Sequence, residues 1–578
     1  MSRVLISAAH KSSGKTTVTV GLCAALTAQG LAVQPFKKGP DYIDPMWLEQ
    51  ASGRTCFNLD PYLMSNTQII DSFARHSAMA DISIVEGNKG LYDGLALDGS
   101  NSNAALAHIL NLPVILVLDA RGMTRGIAPL ILGYQSFDSR INIAGVILNQ
   151  LGGARHESKL RAVIEHYTDV PVLGAVASDP QLSVLERHLG LMPNHEIIDA
   201  KQRVHAIGER IAAQVDLSRL LQVAKSAAPI TTSANFSETA PLSLPKVRIG
   251  VARDKAFGFY YPDDLQALEQ AGAEIVPFDT FQDCQLPEVD GLFIGGGFPE
   301  VFMTELSANA AMRTSIRSAI ERNLPVYAEC GGLMYLSRSL NWQDKTCEMV
   351  GALPADVRMH QRPVGRGYVE LKVTKDAPWS VGSGTHVIRG HEFHYSSLEN
   401  TPANLKFAYH VQRGHGVDGQ HDGIVYRNVL ASYTHLRSGA GSDWARGFVS
   451  FIRSCKSTAL PVQQPFGQSI QINDHSIAMD TEGYLLRLED WSEDFARARA
   501  AQENLELTDA HWEVIRFLRD HFDEHRVQAQ VRAMIKHFTQ IWGTERGSNH
   551  QLHAMFPIGG PQKQGNRLAG LWKTKGEH

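Results

Sequence analysis

The chain of 578 residues has little cysteine and little excess charge, and each shortage excludes a class of protein. Its six cysteines lack paired spacing, which is typical of a protein kept in a reducing compartment. A net charge of −5 provides no basic field for nucleic acid. No apolar run reaches the roughly 18 residues that span a bilayer, and the N-terminus begins a strand instead of a signal peptide. We therefore expect a cytoplasmic protein that binds neither nucleic acid nor membranes.

The length and the linker composition predict several domains. A chain of 578 residues is too long for one hydrophobic core. The segment 228–245 is rich in Ser, Thr and Pro, and the segment 456–469 contains prolines and two consecutive glutamines. Apolar strands alternate with helical patterns between these segments, which indicates an α/β fold. We expect domains at 1–227, 246–455 and 470–578, joined by the two linkers.

The N-terminal region carries the pattern of a phosphate-binding loop. An apolar strand at 4–7 is followed by KSSGKTT at 11–17, which turns into a helix. A Gly-Lys-Thr at a helix N-terminus offers backbone N–H groups and a lysine to phosphates and a hydroxyl to magnesium. The usual first glycine of the loop is Ala9 here, so the pattern is incomplete. The ATP-binding residues predicted from this loop are Ser13, Gly14, Lys15, Thr16 and Thr17.

A second motif surrounds Cys330. The run LPVYAECGG at 324–332 is an apolar strand that stops at this cysteine and is followed by two glycines. Such a turn places a thiol beside backbone N–H groups, which can stabilise both a thiolate and the oxyanion of an attacked carbonyl. An isolated cysteine is more often a buried structural residue, but IGGGFPE at 294–300 and ASYTH at 431–435 supply the glycines and the histidine of a reactive site. An amide-hydrolysing thiol together with an ATP site is the equipment of a glutamine-dependent amidotransferase.

These motifs follow one another in the same order as in a known family of domains. Across 246–455 the glycine run, AECGGLMYL and YTH resemble a class I glutamine amidotransferase (flavodoxin-like) domain of the cobyric acid synthase branch. The resemblance implies that Cys330 is the nucleophile and His435 its base. It further implies oxyanion or glutamine binding at Gly296, Gly297 and Gly331.

Residues 246–455 differ from the usual class I triad at one position and contain a histidine pair that could suggest a zinc site. The position two after the histidine is Arg437, where other class I triads have a glutamate, and the named branch also lacks that acid. His391 and His394 have an i, i+3 spacing, but no cysteine or carboxylate set completes a four-ligand zinc site. We expect these two histidines to be structural or to line the substrate site.

The first half resembles the cobyrinate a,c-diamide synthase family, with its P-loop dethiobiotin-synthetase-like fold. The strings that carry the resemblance are VQPFKKGPDYIDP at 33–45, IVEGNKGLYDG at 84–94 and ERHLGL at 186–191. It implies a ligase of cobalamin biosynthesis, with ATP and L-glutamine as substrates and Mg²⁺ as cofactor. A carboxylate oxygen is a poor leaving group, so ATP must first convert it to an acyl phosphate that ammonia then displaces.

The same resemblance assigns the polar residues of that half. Lys15 would bind the phosphates and Lys37 would steady the transferring phosphoryl group. The other assignments are Thr16, Asp41 and Glu86 to magnesium, Tyr42 and Asp93 to the acceptor pocket, and Asn149 to the purine base.

The last hundred residues differ in character. Strings at 480–485, 507–519, 555–557 and 568–571 predict a short hairpin followed by amphipathic helices, a small and mostly α domain. We expect Thr508 to cap a helix whose apolar face is formed by Trp512, Ile515, Leu518 and Phe522.

These strings resemble the small gamma-subunit-like sulfur carrier of dissimilatory sulfite reductase. The carrier's two redox cysteines fall at positions occupied by Asn566 and Glu577, and no cysteine follows Cys455. Sulfur transfer requires a thiol. We therefore expect this module to dock to a sulfite reductase or another sulfur-relay protein, or to regulate, and not to carry sulfur.

The fusion leaves two tetrapyrrole substrates open. The amidotransferase halves imply amidation of acetate side chains on cobyrinate or hydrogenobyrinate, whereas the carrier-like module favours sirohaem, as in a sirohaem amidase branch of the family. A homodimer also stays open. The alternatives are a non-enzymatic ATP-switched adaptor and a fusion with inactive catalytic halves. An adaptor has no use for Cys330 and His435, which favours the enzyme.

Overall fold

A computed structural model describes residues 1–179, 186–187, 190–191, 199–230, 246–381, 387–439, 442–458, 469–472, 475–480, 482–485, 487–525 and 527–572. The chain divides into two compact units, Met1–Lys456 and Ser457–His578. Most of both predicted linkers, positions 188–189 of the ERHLGL string and the predicted position 577 lie outside the described residues.

The first part of the larger unit, residues 1–230, is built on a seven-stranded parallel sheet with the order β3-β2-β4-β1-β5-β6-β7. Its strands are β1 Arg3–Ala8, β2 Val33–Lys38, β3 Phe57–Leu59, β4 Ile82–Glu86, β5 Val114–Asp119, β6 Ile143–Leu151 and β7 Val172–Ala177, and two short strands, β8 Glu186–Arg187 and β9 Gly190–Leu191, pair separately. The helices are α1 Lys15–Ala28, α2 Ile43–Ser52, α3 Asn66–Ser77, α4 Asn103–Ile109, α5 Ile127–Phe137, α6 Ala154–Tyr167, α7 Ala200–Gln214 and α8 Leu217–Lys225.

The strands of this sheet are apolar because both faces are covered. Leu5 and Ile6 are fully buried and belong to two different hydrophobic clusters, one on each side of the sheet. The carboxyl ends of neighbouring parallel strands meet at one edge, where α/β proteins bind their ligands. This edge brings together the phosphate-binding loop after β1, Lys37 on β2 and Glu86 on β4.

The second part, residues 246–456, contains a ten-stranded mixed sheet with the order β12-β10-β13-β15-β24-β23-β22-β19-β20-β25. Its strands, with those of two smaller sheets, are β10 Val247–Ala252, β11 Phe257–Phe259, β12 Ala273–Phe278, β13 Gly291–Ile294, β14 Gly296–Gly297, β15 Val326–Glu329, β16 Ser339–Trp342, β17 Lys345–Glu348, β18 Asp356–Met359, β19 Gly365–Val373, β20 Val387–His394, β21 Ser396–Glu399, β22 Lys406–Arg413, β23 His421–Tyr426, β24 Val429–Ser432 and β25 His435–Leu436. The helices are α9 Pro262–Gln270, α10 Met303–Ala308, α11 Ala310–Glu321, α12 Gly331–Leu336 and α13 Trp444–Thr458, whose last residues reach the second unit.

The second unit is mostly helical. It contains a hairpin, β26 Ser469–Ile472 and β27 His475–Ala478, a short 3-10 helix, Leu488–Asp490, and the helices α14 Glu493–Gln502, α15 Asp509–His525, α16 Val531–Trp542, α17 Asn549–Met555 and α18 Gly560–Leu568. The predicted apolar face of α15 is buried, and Thr508 directly precedes that helix with its hydroxyl 2.8 Å from Nδ1 of His511. An antiparallel bridge between Met479 and Leu485 closes the segment predicted as a hairpin, and the β26–β27 hairpin directly precedes it.

The predicted fold class is confirmed, with two α/β parts and a small, mostly α unit. None of the helices in the described ranges is long and apolar enough to cross a membrane.

Candidate active site

Cys330 lies at a strained turn. Strand β15 ends at Glu329 and helix α12 begins at Gly331, so the cysteine alone connects them, with φ +45° and ψ −97°. A residue with a Cβ in such a conformation costs about 1–3 kcal/mol, and strain of this kind clusters at active sites. The fold supports the turn, since the Cys330 N–H donates to the carbonyl of Ser432 on β24 at 2.7 Å.

The predicted glycines pack around this turn. A Cβ on Gly296 would lie 2.6 Å from Cε1 of His435, and a Cβ on Gly331 would lie 3.0 Å from the backbone nitrogen of Gly297. Real Cβ atoms tolerate neither contact easily, so these positions need glycine. The structure therefore brings Gly296, Gly297 and Gly331 together beside Cys330 and His435.

His435 is held by an acid that the sequence analysis missed. Nδ1 of His435 lies 3.2 Å from Oε2 of Glu329, the residue directly before the cysteine. Burial alone would lower the pKa of His435, but hydrogen bonds to the Cys330 thiol and the Glu329 carboxylate outweigh it and raise the pKa to about 10. The only sequence signal for Glu329 was a carboxylate inside an apolar strand, directly before the predicted nucleophile Cys330.

In the first part, the phosphate-binding loop is built by its backbone. Gly14 has φ +77° and directly precedes α1, so the loop leads into the N-terminus of this helix, where unpaired N–H groups favour phosphate. The Asn149 amide donates to the carbonyl of Ser13 at 2.8 Å, and a Cβ on Gly14 would overlap that amide. Asn149 thus supports the loop in this structure, and Thr17 lines the cavity beside it.

Two lysines and a hydroxyl meet at one buried carboxylate. Lys15 and Lys37 each place Nζ 3.0 Å from Oε1 of Glu86, and the Thr16 hydroxyl donates to the same oxygen at 2.6 Å. Burial would raise the pKa of Glu86, but the ammonium groups of Lys37 and Lys15 outweigh it and lower the pKa to about 2. Burial also disfavours the charged form of Lys37 and would lower its pKa, but the surrounding carboxylates hold that pKa well above its usual range.

Asp44 joins this cluster more closely than the predicted Asp41. Asp44 pairs with Lys37 and lies 3.3 Å from the Thr16 hydroxyl, whereas Asp41 uses Oδ1 to accept the N–H groups of Ile43 and Asp44 at 3.0 Å. Burial raises the pKa of Asp44 to about 7, and the Asp41 carboxylate adds to the effect. Asp44 stands in the same KKGPDYIDP string, three residues after Asp41, and spacing alone did not reveal it.

The two predicted acceptor residues lie in different surroundings. Tyr42 is buried, with its ring centroid 5.2 Å from that of His435 and stacked on Phe259 at 5.3 Å. Asp93 is exposed, and its carboxylate accepts the Gly90 N–H at 2.9 Å. The cavity that contacts both the phosphate-binding loop and Cys330 is lined by Tyr42 but not by Asp93.

One cavity of about 540 Å³ reaches both sites. Its lining includes the phosphate-binding loop Ser13–Thr17, Tyr42 and Asp44 at one end, and Cys330 and His435 at the other. All these residues belong to the larger unit. The cavity therefore connects the thiol with the loop.

His391 lines this cavity near His435. Its Nδ1 is buried without a hydrogen-bond partner among the described residues, and burial, followed by repulsion from His435, lowers its pKa to about 3. In the ranges the structure covers, no group of three or more His, Cys, Asp or Glu side chains is arranged to hold a metal ion. His394 also belongs to the lining of this cavity.

Sequence comparisons place the chain in a family. Family models match it as an AAA domain over 2–185, a CobB/CobQ-like glutamine amidotransferase domain over 248–441 and a DsrC like protein over 471–576. A cobyrinate a,c-diamide synthase of Magnetococcus marinus is 46% identical over 463 residues, which cover 79% of this chain and 99% of the relative. The chain belongs to the cobyrinate a,c-diamide synthase family. The Methanosarcina acetivorans member is 43% identical over 485 residues, with 79% of this chain and 97% of that member covered.

As a member of the cobyrinate a,c-diamide synthase family, the protein is a glutamine-dependent carbon–nitrogen ligase with ATP and glutamine as substrates. The predicted enzyme class is confirmed, and the enzyme is favoured over the adaptor and the inactive fusion. The remaining segment resembles the solution structure of Allochromatium vinosum DsrC, with 38% identity, 19% of this chain and 98% of that chain covered, and a TM-score of 0.18.

Proposed function

We propose that the protein amidates acetate side-chain carboxylates of a tetrapyrrole in a cobyrinate a,c-diamide synthase-type reaction. The observation that carries this proposal is the single cavity lined by both Cys330 and the phosphate-binding loop. Ammonia released at the thiol can move along this cavity to an acyl phosphate formed at the loop. The neutral state of His391 in the lining suits the passage of uncharged ammonia.

In the glutaminase half, Cys330 is the nucleophile and His435 the acid–base group. The thiolate attacks the carboxamide carbon of glutamine, and the oxyanion is stabilised by the N–H groups of Gly297 and Gly331. The imidazolium of His435 gives its proton to the leaving nitrogen, so ammonia departs and a thioester remains. Water, deprotonated by His435, then attacks the thioester, and glutamate leaves with regeneration of the thiol.

In the ligase half, the acceptor carboxylate oxygen attacks the γ-phosphorus of ATP, giving an acyl phosphate and ADP. Lys15 and Lys37 offset the charge of the phosphoryl oxygens, and Tyr42 lines the acceptor end of the cavity. Ammonia attacks the acyl carbon, phosphate leaves and a proton is lost, which yields the amide. In this assignment Asn149 contacts the nucleotide from β6, and the outward position of Asp93 suits a contact with the macrocycle away from the reacting carboxylate.

The residues at the loop fit a magnesium ion. Mg²⁺ in nucleotide sites uses one or two carboxylates together with phosphates and waters, so it does not need a dedicated three-residue cluster. Oε2 of Glu86 is buried and has no hydrogen-bond partner within the described part of the chain. Thr16, Glu86 and Asp44 would hold the ion, with Asp41 at the edge of the group. When bound, Mg²⁺ would neutralise phosphate charge.

For the macrocycle we favour sirohaem over cobyrinate and hydrogenobyrinate. Support comes from the DsrC-like match at 471–576, since such a module belongs with sulfite reduction. Acetate side chains on a similar macrocycle need no change of mechanism. The module would dock to a sulfite reductase or another sulfur-relay protein. The proposed domains are 1–227, 246–455 and 470–578, with linkers between them, and the ranges of the three family models support this division.

A product assay tests the substrate. The full chain is incubated with ATP, Mg²⁺ and amide-¹⁵N-glutamine, and with cobyrinate, hydrogenobyrinate or sirohaem in separate reactions. Each amidation replaces a hydroxyl by an amino group, so with ¹⁴N-glutamine mass spectrometry should show a product lighter than the substrate by about one mass unit. With amide-¹⁵N-glutamine the heavier nitrogen cancels this loss, so the two products should differ by about one mass unit per amide formed. Amidation of sirohaem alone supports our preference, amidation of a cobyrinate-type acid alone replaces it, and amidation of none rejects the tetrapyrrole reaction.

A further inference from the structure

The carboxylate of Glu329 makes three buried polar contacts at the glutaminase site. Oε2 lies 3.2 Å from Nδ1 of His435, and Oε1 accepts the N–H of Leu436 at 3.0 Å and the hydroxyl of Tyr327 at 2.6 Å. Glu329 and His435 are each 3% exposed. A carboxylate fixed by two donors from one side can present its remaining oxygen to the imidazole in only a narrow range of directions.

We propose that Glu329 is the positioning acid of the glutaminase site, orienting the His435 imidazole so that Nε2 faces the Cys330 thiol. The inference rests on the proposed function, in which Cys330 is the nucleophile. In such a site the third group holds the tautomer of the histidine and stabilises the imidazolium without taking its proton. In this role Glu329 takes no proton from His435, and the protons that move pass between Cys330, His435, the leaving nitrogen and the hydrolytic water.

The position that holds the acid in other class I triads is occupied here by an arginine. Arg437, two residues after the histidine, donates to the carbonyl of Asn58 at 2.7 Å and pairs with Asp263. A cation there cannot stabilise an imidazolium. Glu329 reaches the same ring from the end of β15, on the N-terminal side of the nucleophile, so the chain retains the acid at a different sequence position.

Other groups near the ring cannot replace Glu329. The ring centroids of His391 on β20 and Tyr42 at the start of α2 lie 5.7 and 5.2 Å from that of His435. His391 is neutral in this site because burial and the neighbouring His435 lower its pKa to about 3, so it carries no charge that could offset one on His435. Glu329 is therefore the group that offsets the charge when His435 becomes an imidazolium.

Glu329→Gln tests the proposal, with Tyr327→Phe as the matched control. Both variants disturb the same carboxylate, but only the first alters the contact with Nδ1 of His435. For Glu329→Gln we expect the kcat of glutamine hydrolysis to fall on the order of 10²-fold with a small change in KM. The alkaline limb of the pH profile should move to lower pH, because the imidazolium loses its proton more easily without the carboxylate. Tyr327→Phe should show a much smaller loss and little movement of that limb.

The outcomes separate the inference from the proposed function. If Glu329→Gln matches Tyr327→Phe in both kcat and pH profile, the positioning role is overturned while the roles of Cys330 and His435 stand. If Cys330→Ala still hydrolyses glutamine, the proposed function itself fails. If Glu329→Gln does not fold, Glu329→Asp tests the positioning role instead, because it keeps the carboxylate but moves it back by one methylene. A lower kcat at similar KM supports the proposal, and a wild-type rate overturns it.

Discussion

Nη2 of Arg437 donates a hydrogen bond to the carbonyl of Asn58 at 2.7 Å, joining two residues that are 379 positions apart. Arg437 follows the strand of His435, and Asn58 lies on β3 opposite Lys37 of β2. The Asn58 amide in turn donates to the carbonyls of Gly39 at 2.9 Å and Asp41 at 2.7 Å. One guanidinium and one amide therefore link the segment after the strand of His435 to the loop that carries Asp41.

Arg437→Lys should uncouple the two half-reactions. Nη2 of Arg437 makes both contacts, and lysine lacks the rigid planar guanidinium that holds one nitrogen between Asp263 and the carbonyl of Asn58. We expect the amide formed per glutamine hydrolysed to fall roughly 5-fold or more, the lower end of typical coupling between sites. The measurement compares product amide with released glutamate. Tyr62→Phe, which removes the 2.9 Å contact to Glu370, is the control and should change the ratio little. An unaltered ratio in Arg437→Lys would show that this link does not couple the sites.

Cys330→Ala should abolish amidation supported by glutamine and leave amidation supported by high concentrations of free ammonia. The reason is that the thiol serves only the release of ammonia, whereas the acyl phosphate forms at the phosphate-binding loop. The check is the amidation rate with each nitrogen source in a variant shown to be folded. Equal loss with both sources would remove Cys330 from the role of nucleophile.

Lys15→Ala should remove phosphoryl transfer while Cys330 still reacts with an alkylating glutamine analogue. Lys15 lies 3.0 Å from Glu86 at the loop and would offset phosphate charge there, away from the thiol. ATP consumption and the extent of thiol labelling are measured on the same preparation. Wild-type ATP consumption would refute the assignment of the loop, and failure of labelling would reveal a wider structural effect.

Asp44→Asn should stabilise the ligand-free protein in a pH-dependent way. The pKa of Asp44 is raised from 3.8 to about 7 in the fold, so its carboxyl favours the folded state below about pH 4 and loses that contribution as the pH rises through about 7. Asparagine cannot ionise, so Tm should exceed that of the unaltered protein by a few degrees at about pH 8 and differ little near pH 4. Thermal unfolding at both pH values checks this. A lower Tm at the higher pH would contradict the prediction.

The sequence predicted the parts of the site that lie within continuous strings. Cys330, the glycines and His435 are found together because β15 and β24 are neighbouring strands and their carboxyl ends meet. Lys37 and Glu86 meet for the same reason on β2 and β4. Parallel-sheet topology converts such strand ends into one site, and this is why motif order was informative.

The remaining features of the site depend on backbone and side-chain geometry that no sequence motif specifies. Alternation along a strand would direct Glu329 and Cys330 to opposite faces, and only the turn at φ +45° and the pairing of β25 with β20 let both reach His435. Asp41 and Asp44 could not be ranked by spacing, because the distinction arises from the N–H groups that occupy Asp41. The contact of Arg437 with Asn58 depends on how the first and second parts pack.

Deleting residues 457–578 should leave amidation of the free tetrapyrrole largely intact. Every residue assigned to catalysis lies in Met1–Lys456, and the Magnetococcus marinus relative is covered over 99% of its length by 463 residues, so it has no counterpart of the remaining segment. The second unit has its own core around Trp512, Ile515 and Leu518, which suits a separate module. What should be lost is association with a sulfite reductase or another sulfur-relay protein. Pull-down with the full chain and the truncated chain checks this, with amidation assayed in parallel. Equal binding by both, or binding by neither, would remove the docking role, and loss of amidation in the truncated chain would make the second unit part of the active enzyme.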